Sequence, residues 1–219
     1  MFLFSQLENF SAGEVVLFLI AYIIAIVVAI VAHEFMHSYV AYKMGDNTPK
    51  AYGRLTLNPL AHFDAIGLIC FVLVGFGWAK PVPINTLNFR NHKKGVVAVS
   101  LAGILTNIAI AFVCAGLYTC VVNFMPENMF KFFLSYLFGF GMTINLALAV
   151  FNLLPIYPLD GFNFLNAFMR YDNKFVDFNM RYGQILLLIL VLSGLIGLVL
   201  GYAINGIVWL FSWFWNLIF

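Results

Sequence analysis

The chain has 219 residues, 63% of them apolar and 9% charged, with a formal net charge of +2. An average soluble domain is about 45–50% apolar and about 25% charged, so an ordinary soluble globule is excluded. The 25 Phe, 10 Tyr and 4 Trp exclude a disordered chain, and the near-neutral balance leaves no basic field for nucleic acid. What remains is an all-α polytopic membrane protein in contact with the lipid bilayer.

The gaps between charged residues locate the spans. No Lys or Arg occurs in the first 42 residues, so the positively charged start of a signal peptide is absent. Val15 to Ala32 is an apolar run of 18 residues, and uncharged runs of 32, 28 and 38 residues cover 95–126, 132–159 and 182–219. A spanning helix needs about 20 residues at about 1.5 Å each, so each of the first three runs fits one span. The last would be about 57 Å long as a single helix, and it is expected to bend near Gly201 to Gly206 into two passes. The expected organisation is one integral-membrane unit over 1–219. Its core spans lie at about 15–42, 96–123 and 132–156, with a C-terminal hydrophobic pair at about 184–219. This makes a bundle of about 5–6 transmembrane helices.

Between the first two long spans the pattern changes. Ala65 to Ala79 offers only 15 residues, interrupted by Gly67, Gly75 and Gly77, and is expected to re-enter the membrane without crossing it. Tyr52 to Pro59 alternates around Leu55 and Leu57 and reads as a short strand. Lys80-Pro-Val-Pro-Ile-Asn reads as a second extended segment, because consecutive X-Pro units exclude helix. Together they predict a short re-entrant/β-hairpin insertion.

Lys43, Lys50 and Arg54 follow the first span, and Lys80, Arg90, Lys93 and Lys94 precede the second long one. Arg170, Lys174 and Arg181 follow the third. The three clusters share one face if the first helix runs outside to inside, which places them in the cytoplasm of a multi-pass cell-membrane protein. Cys70, Cys114 and Cys120 lie in apolar segments without close spacing, against a disulfide or a cysteine metal site.

The chemistry sits in the first span. In His33-Glu34-Phe35-Met36-His37 the two imidazoles are four residues apart and project from one helix face, a spacing that suits one Zn²⁺. Glu34 lies to one side, where it can act as a base without ligating the metal. His37 is six residues before Lys43, about 9 Å along the axis, so the motif lies beneath the membrane interface. An ionisable group there costs about 2.5–3.5 kcal/mol, and its presence points to function. Two histidines leave a tetrahedral site short of a protein ligand. Asp160, His62, Asp64 and His92 are the candidates. Asp160 is preferred on geometry, because Pro155 and Pro158 break the third long span where it would approach the metal.

HEFMH in the first span and Asn152-Leu-Leu-Pro-Ile-Tyr-Pro-Leu-Asp-Gly161 after the third resemble the site-2 protease family of intramembrane zinc metalloproteases. Gly53-Arg-Leu-Thr-Leu-Asn-Pro and Ser100-Leu-Ala-Gly-Ile-Leu-Thr-Asn107 resemble further family segments, with Ile104 standing where many members have Pro. The length fits a compact form without a PDZ or CBS domain. The resemblance implies one Zn²⁺ held by His33, His37 and Asp160, with Glu34 as general acid and base. It also implies that Asn152 polarises the scissile carbonyl. Asn145 lies two helical turns before Asn152, and both amides are expected on the bundle-facing side. An interhelical hydrogen bond is the competing role for Asn152 and the expected one for Asn145 and Asn107.

The function so implied is hydrolysis of peptide bonds in or near the transmembrane segment of a membrane-anchored substrate. The expected partner is a single-span protein or peptide whose helix must unwind locally. Val82, Pro83, Ile84 and Asn85 would receive it as an added strand. The alternative is a membrane metal-ion transporter using the same His/Glu/Asp cluster. That alternative calls for a second acidic or histidine site on another helix, and 95–126 and 182–219 carry none.

Overall fold

A computed structural model describes residues 10–64, 80–169 and 173–219. Among them the chain is helical, without a strand. The helices are α1 (Ala12–Met44), the short α2 (Thr48–Ala51), α3 (His92–Phe124), α4 (Met129–Asn152), α5 (Asp160–Asn166), α6 (Lys174–Leu192) and α7 (Leu195–Asn216). All but α2 and α5 are long and apolar enough to cross a membrane.

Local chemistry accounts for the ends of α1. Ser11 and Glu14 form a capping box, satisfying the free N–H groups at its start. Gly45 ends it in the left-handed region with φ 114°, where its N–H bonds back to the Ala41 and Tyr42 carbonyls. A side chain at Gly45 would also stand 2.9 Å from the Asn88 carbonyl oxygen, so glycine is required for both reasons.

α1, α3 and α4 pack on one another and form the centre of the bundle. Small residues let the helices approach closely: Ala21, Ala25 and Ala29 on α1, and Ala102, Gly103, Ala111 and Ala115 on α3, are all buried. Aromatic rings close one end, where Phe18 stacks edge-on against Tyr136 and Phe140 at 5.0 Å in each case. α7 lies against α3 and α4. The Trp215 indole crosses Gly116, and its N–H donates to the Phe112 carbonyl at 2.9 Å.

Several expectations are corrected. Tyr52 to Pro59 is not a strand. Gly53 turns the chain with φ 67°, the Arg54 N–H donates to the Pro49 carbonyl, and Asn58 caps a short 3₁₀ turn over Pro59–Ala61. Lys80 to Asn85 is non-helical, as the prolines dictate, but it is not paired as a strand among the described residues. The hairpin is therefore absent among them, and the re-entrant expectation for Ala65 to Ala79 lies outside them. The C-terminal pair divides at Gly194 (φ 77°), not near Gly201 to Gly206, and its first helix begins at Lys174 and carries Asp177 and Arg181. Asn145 is buried, but its amide donates to Gly141 of its own helix at 2.7 Å, and Asn152 likewise bonds back to Leu148 at 3.0 Å. Neither makes an interhelical hydrogen bond, the role expected of Asn145 and the competing one for Asn152.

Candidate metal centre

One helical turn separates His33 from His37, and both rings leave the same face of α1 to enter the bundle, where each residue is 6% exposed. Their Nε2 atoms lie 3.0 Å apart. The third group arrives from the far side of the sequence. α4 ends at Asn152, the proline-rich turn carries the chain past Leu159, and Asp160 opens α5. Gly161 permits this turn, since a β-carbon there would collide with the Leu153 carbonyl at 2.2 Å. Asp160 Oδ2 stands 3.2 Å from His33 Nε2 and 3.2 Å from His37 Nε2.

The other ring nitrogens decide what this cluster is. His37 Nδ1–H donates to the Val99 carbonyl at 2.9 Å, and His33 Nδ1–H faces the Asn107 Oδ1 at 3.2 Å, both on α3. A neutral imidazole that donates from Nδ1 presents a lone pair at Nε2. Three electron-rich atoms therefore converge at 3.0–3.2 Å, and Asp160 Oδ2 is buried without a hydrogen-bond donor. Such an arrangement calls for positive charge among the three atoms, as a metal ion or as a shared proton. Ligands at about 2.0–2.1 Å in a tetrahedron around zinc are separated by about 3.3 Å, close to the edges of this triangle. The donor set of two imidazoles and one carboxylate, with the far nitrogen of each ring bonded to a carbonyl oxygen, fits Zn²⁺.

His33, His37 and Asp160 are the only such group among the described residues. Glu34, half-buried on α1 beside His33, is not a member of it. Asn152 is half-buried at the end of α4. The other candidate third ligands lie elsewhere. His62 is buried beneath the loop after α1, its Nε2 bonded to the Thr56 carbonyl at 2.7 Å, Asp64 follows it by two residues, and His92 starts α3 in the open. Val82 to Asn85 borders a cavity beside the first turns of α3.

Three contributors carry no metal-ligand signature. Val99 acts through its backbone, which no side-chain pattern reveals. Gly103 lies against the His33 ring, and Asn107 makes the interhelical hydrogen bond expected of it, to His33. Asp46 also escapes a motif search. Buried at the end of α1, it accepts from Thr48 N (3.0 Å), Thr48 Oγ1 (2.6 Å), Asn85 N (2.8 Å) and Asn88 Nδ2 (2.8 Å). It thereby ties the histidine helix to the 85–88 segment. Burial pushes the Asp46 carboxyl up, but these hydrogen bonds outweigh it and hold the group below the usual carboxylate range.

Comparison with known proteins gives the chain's relatives. The family description "Peptidase family M50" matches residues 119–192, which include the Asp160 segment. Three relatives share the printed name "Putative zinc metalloprotease". YwhC of Bacillus subtilis is 42% identical over 61% of this chain and 62% of its own length. Rip2 of Mycolicibacterium smegmatis is 30% identical over 65% of this chain and 54% of its own. This chain thus spans less than two thirds of those two relatives. MJ0611 of Methanocaldococcus jannaschii is 33% identical over 73% of this chain and 74% of its own length. No solved structure matches. A 33% identity sustained over three quarters of a zinc metalloprotease relative, on top of the M50 match, makes this chain a member of peptidase family M50, the site-2 proteases.

Proposed function

We propose that the chain is an intramembrane zinc endopeptidase that cuts membrane-anchored substrates in or near their transmembrane segment. The observation that carries this reading is the convergence of His33 Nε2, His37 Nε2 and Asp160 Oδ2 to within 3.0–3.2 Å of one another inside a helical bundle. One Zn²⁺ per chain would be held by these three residues. Bound there, it supplies Lewis-acid chemistry, activating water and polarising a peptide carbonyl.

The chain's own residues supply the rest. Glu34 takes a proton from the attacking water and returns it to the leaving amine, a role for which its position beside His33 and outside the ligand group suits it. Asn152, at the helix end leading into the Asp160 turn, donates to the oxyanion that develops on the scissile carbonyl. The Val99 and Asn107 acceptors hold the imidazoles in the ligating tautomer throughout. Val82 to Asn85 receives the substrate in extended form. Basic residues clustered at the C-terminal end of α1 and before α3 support a site that opens to the cytoplasmic side of the cell membrane.

The test is a zinc count on the purified protein combined with cleavage of a single-span peptide. Glu34→Gln is expected to keep its zinc and lose cleavage, whereas His33→Ala loses both. Cleavage that survives Glu34→Gln overturns the assignment. Among the described residues there is no second His/Asp/Glu cluster along which a cation could pass, so the transporter alternative gains no support.

A further inference from the structure

Of the 19 residues of α6, the buried ones are Asn179 and Gly183. Four positions separate them, so they lie one helical turn apart on one face. Both rest on the same residue, Tyr157, in the segment that carries the chain from α4 to Asp160. The Tyr157 N–H donates to Asn179 Oδ1 at 3.3 Å. Asn179 Nδ2 donates to the Phe175 carbonyl of its own helix, also at 3.3 Å, which fixes the amide with its oxygen toward Tyr157. A β-carbon on Gly183 would stand 2.9 Å from both Tyr157 Cβ and the Tyr157 carbonyl oxygen.

The hydrogen bonds of the 153–159 segment itself stop short of Tyr157. Pro155 and Pro158 have no N–H. Leu153 and Leu154 donate back to Ala149 and Phe151 at the end of α4, while Ile156 and Leu159 donate to Leu154 and Ile156. Tyr157 is the residue left over, and its N–H reaches out to another helix, which completes the account of the segment's backbone donors. On the other side, the Tyr157 ring meets the Phe162 ring edge-on at 5.8 Å. Phe162 is 1% exposed and is the third residue of α5. Tyr157 therefore stands between α6 and the helix whose first residue is Asp160.

This matters because Asp160 Oδ2 keeps 3.2 Å to two imidazole nitrogens at once. A ligand set of this kind has to be held to within about 0.5 Å. His33 and His37 project from one continuous helix, which fixes them relative to each other. The carboxylate has no such support on its N-terminal side, where its position depends on whatever holds the proline-rich segment.

We propose that Asn179 and Gly183 of α6 are positioning residues for the metal centre: by holding Tyr157 they set where Asp160 enters the bundle. Neither touches the ligands. The proposal rests on the reading of His33, His37 and Asp160 as a metal site, and it gives the one buried face of α6 a task in building that site.

Cobalt(II) is the probe, because its visible absorption reports coordination geometry as well as occupancy. Wild type and variants in detergent micelles are titrated with Co²⁺. Asn179→Leu removes the acceptor at similar volume, and Gly183→Ala pushes on Tyr157 from the same face. Each is expected to lower Co²⁺ affinity about 10-fold and to change the absorption bands of the saturated protein. Asn179→Asp keeps an oxygen facing the Tyr157 N–H and should recover the wild-type bands, with affinity within a few-fold of wild type. Gly197→Ala on α7 is the control, since nothing lies within 4 Å of a β-carbon there. A role confined to folding would lower the variants' melting temperature but leave the bands and affinity of the folded protein unchanged. That result, or an Asn179→Asp variant no better than Asn179→Leu, overturns the proposal. Where Asn179→Leu fails to fold, Gly183→Ala decides by the same two readouts. A wild-type protein that takes up no Co²⁺ overturns the metal centre, and this proposal with it.

Discussion

Gly103 on α3 stands against the His33 ring so closely that a β-carbon there would meet Cε1 at 2.4 Å and Nδ1 at 2.5 Å. The neighbour is a ring that is itself fixed at both nitrogens, so it cannot yield without leaving either Asn107 or the ligand triangle. Gly103→Ala is therefore expected to lower zinc affinity by about 10- to 100-fold, as loss of an orienting partner does. Gly139→Ala is the control, because a β-carbon there comes no nearer than 3.7 Å to the Tyr118 ring. Zinc competition against a chromogenic chelator reads both, and equal affinities would show that the ring is free to shift.

Asn107 tests the same ring from its other edge. Its Oδ1 faces His33 Nδ1, while its Nδ2 is buried without a partner. If the oxygen matters as an acceptor, Asn107→Asp keeps zinc within a few-fold of wild type, and the near-isosteric Asn107→Leu loses about 10- to 100-fold in affinity. If Asn107 only fills space, Leu serves equally well and also removes a stranded amide. The order of the two variants in zinc affinity decides between these roles.

The ligands were legible in the amino-acid sequence for a physical reason. A four-residue spacing on a helix puts two imidazoles on one face, and ionisable groups in an apolar run stand out against their surroundings. Asp160 was legible because Pro155 and Pro158, just before it, mark where a helix must stop. The apolar runs likewise located α1, α3 and α4 to within a few residues, whereas α6 begins at Lys174, well before the apolar run that signalled it. What could not be read depended on backbone or on tertiary contact. Alternation at Leu55 and Leu57 suggested a strand, but the left-handed Gly53 and the Asn58 cap turn the chain before any ladder can form. Gly194 and not the Gly201–Gly206 stretch divides the C-terminal helices, since Gly201 and Gly206 sit in open space within α7 and cost it nothing in packing. The Asn145 and Asn152 amides found their own helix carbonyls four residues back, a local option that competes with any partner across the bundle.

Asp46 couples the site to pH. Its carboxyl titrates lower in the folded protein than the unfolded value of about 3.9, so its contribution to stability is fully present above that value. That contribution fades as pH falls through the lower folded value. Asp46→Asn retains one acceptor but turns an NH₂ group toward donors, and it is expected to destabilise the fold by about 1–3 kcal/mol at neutral pH. Thermal unfolding of wild type and variant between neutral and acidic pH should show their difference shrinking as the carboxyl protonates. A difference that stays constant down to the lowest pH would mean that the 85–88 segment is held by other contacts.

Removing the metal should expose the repulsion among the three ligand atoms. Zinc binds only the folded site, so it stabilises by about 2.7 kcal/mol when free metal exceeds Kd by 100-fold, and a strong chelator should lower the melting temperature accordingly. Asp160→Leu should lose this response altogether. It also removes the buried oxygen that faces two imidazole lone pairs without a donor. The variant is therefore expected to melt no lower than chelated wild type, even though it has lost a buried side chain's contacts. Scanning fluorimetry with and without chelator gives all four melting temperatures. If chelation leaves wild type unmoved, or if Asp160→Leu melts well below the chelated protein, the three atoms are held together by the fold alone and the cation is not what reconciles them.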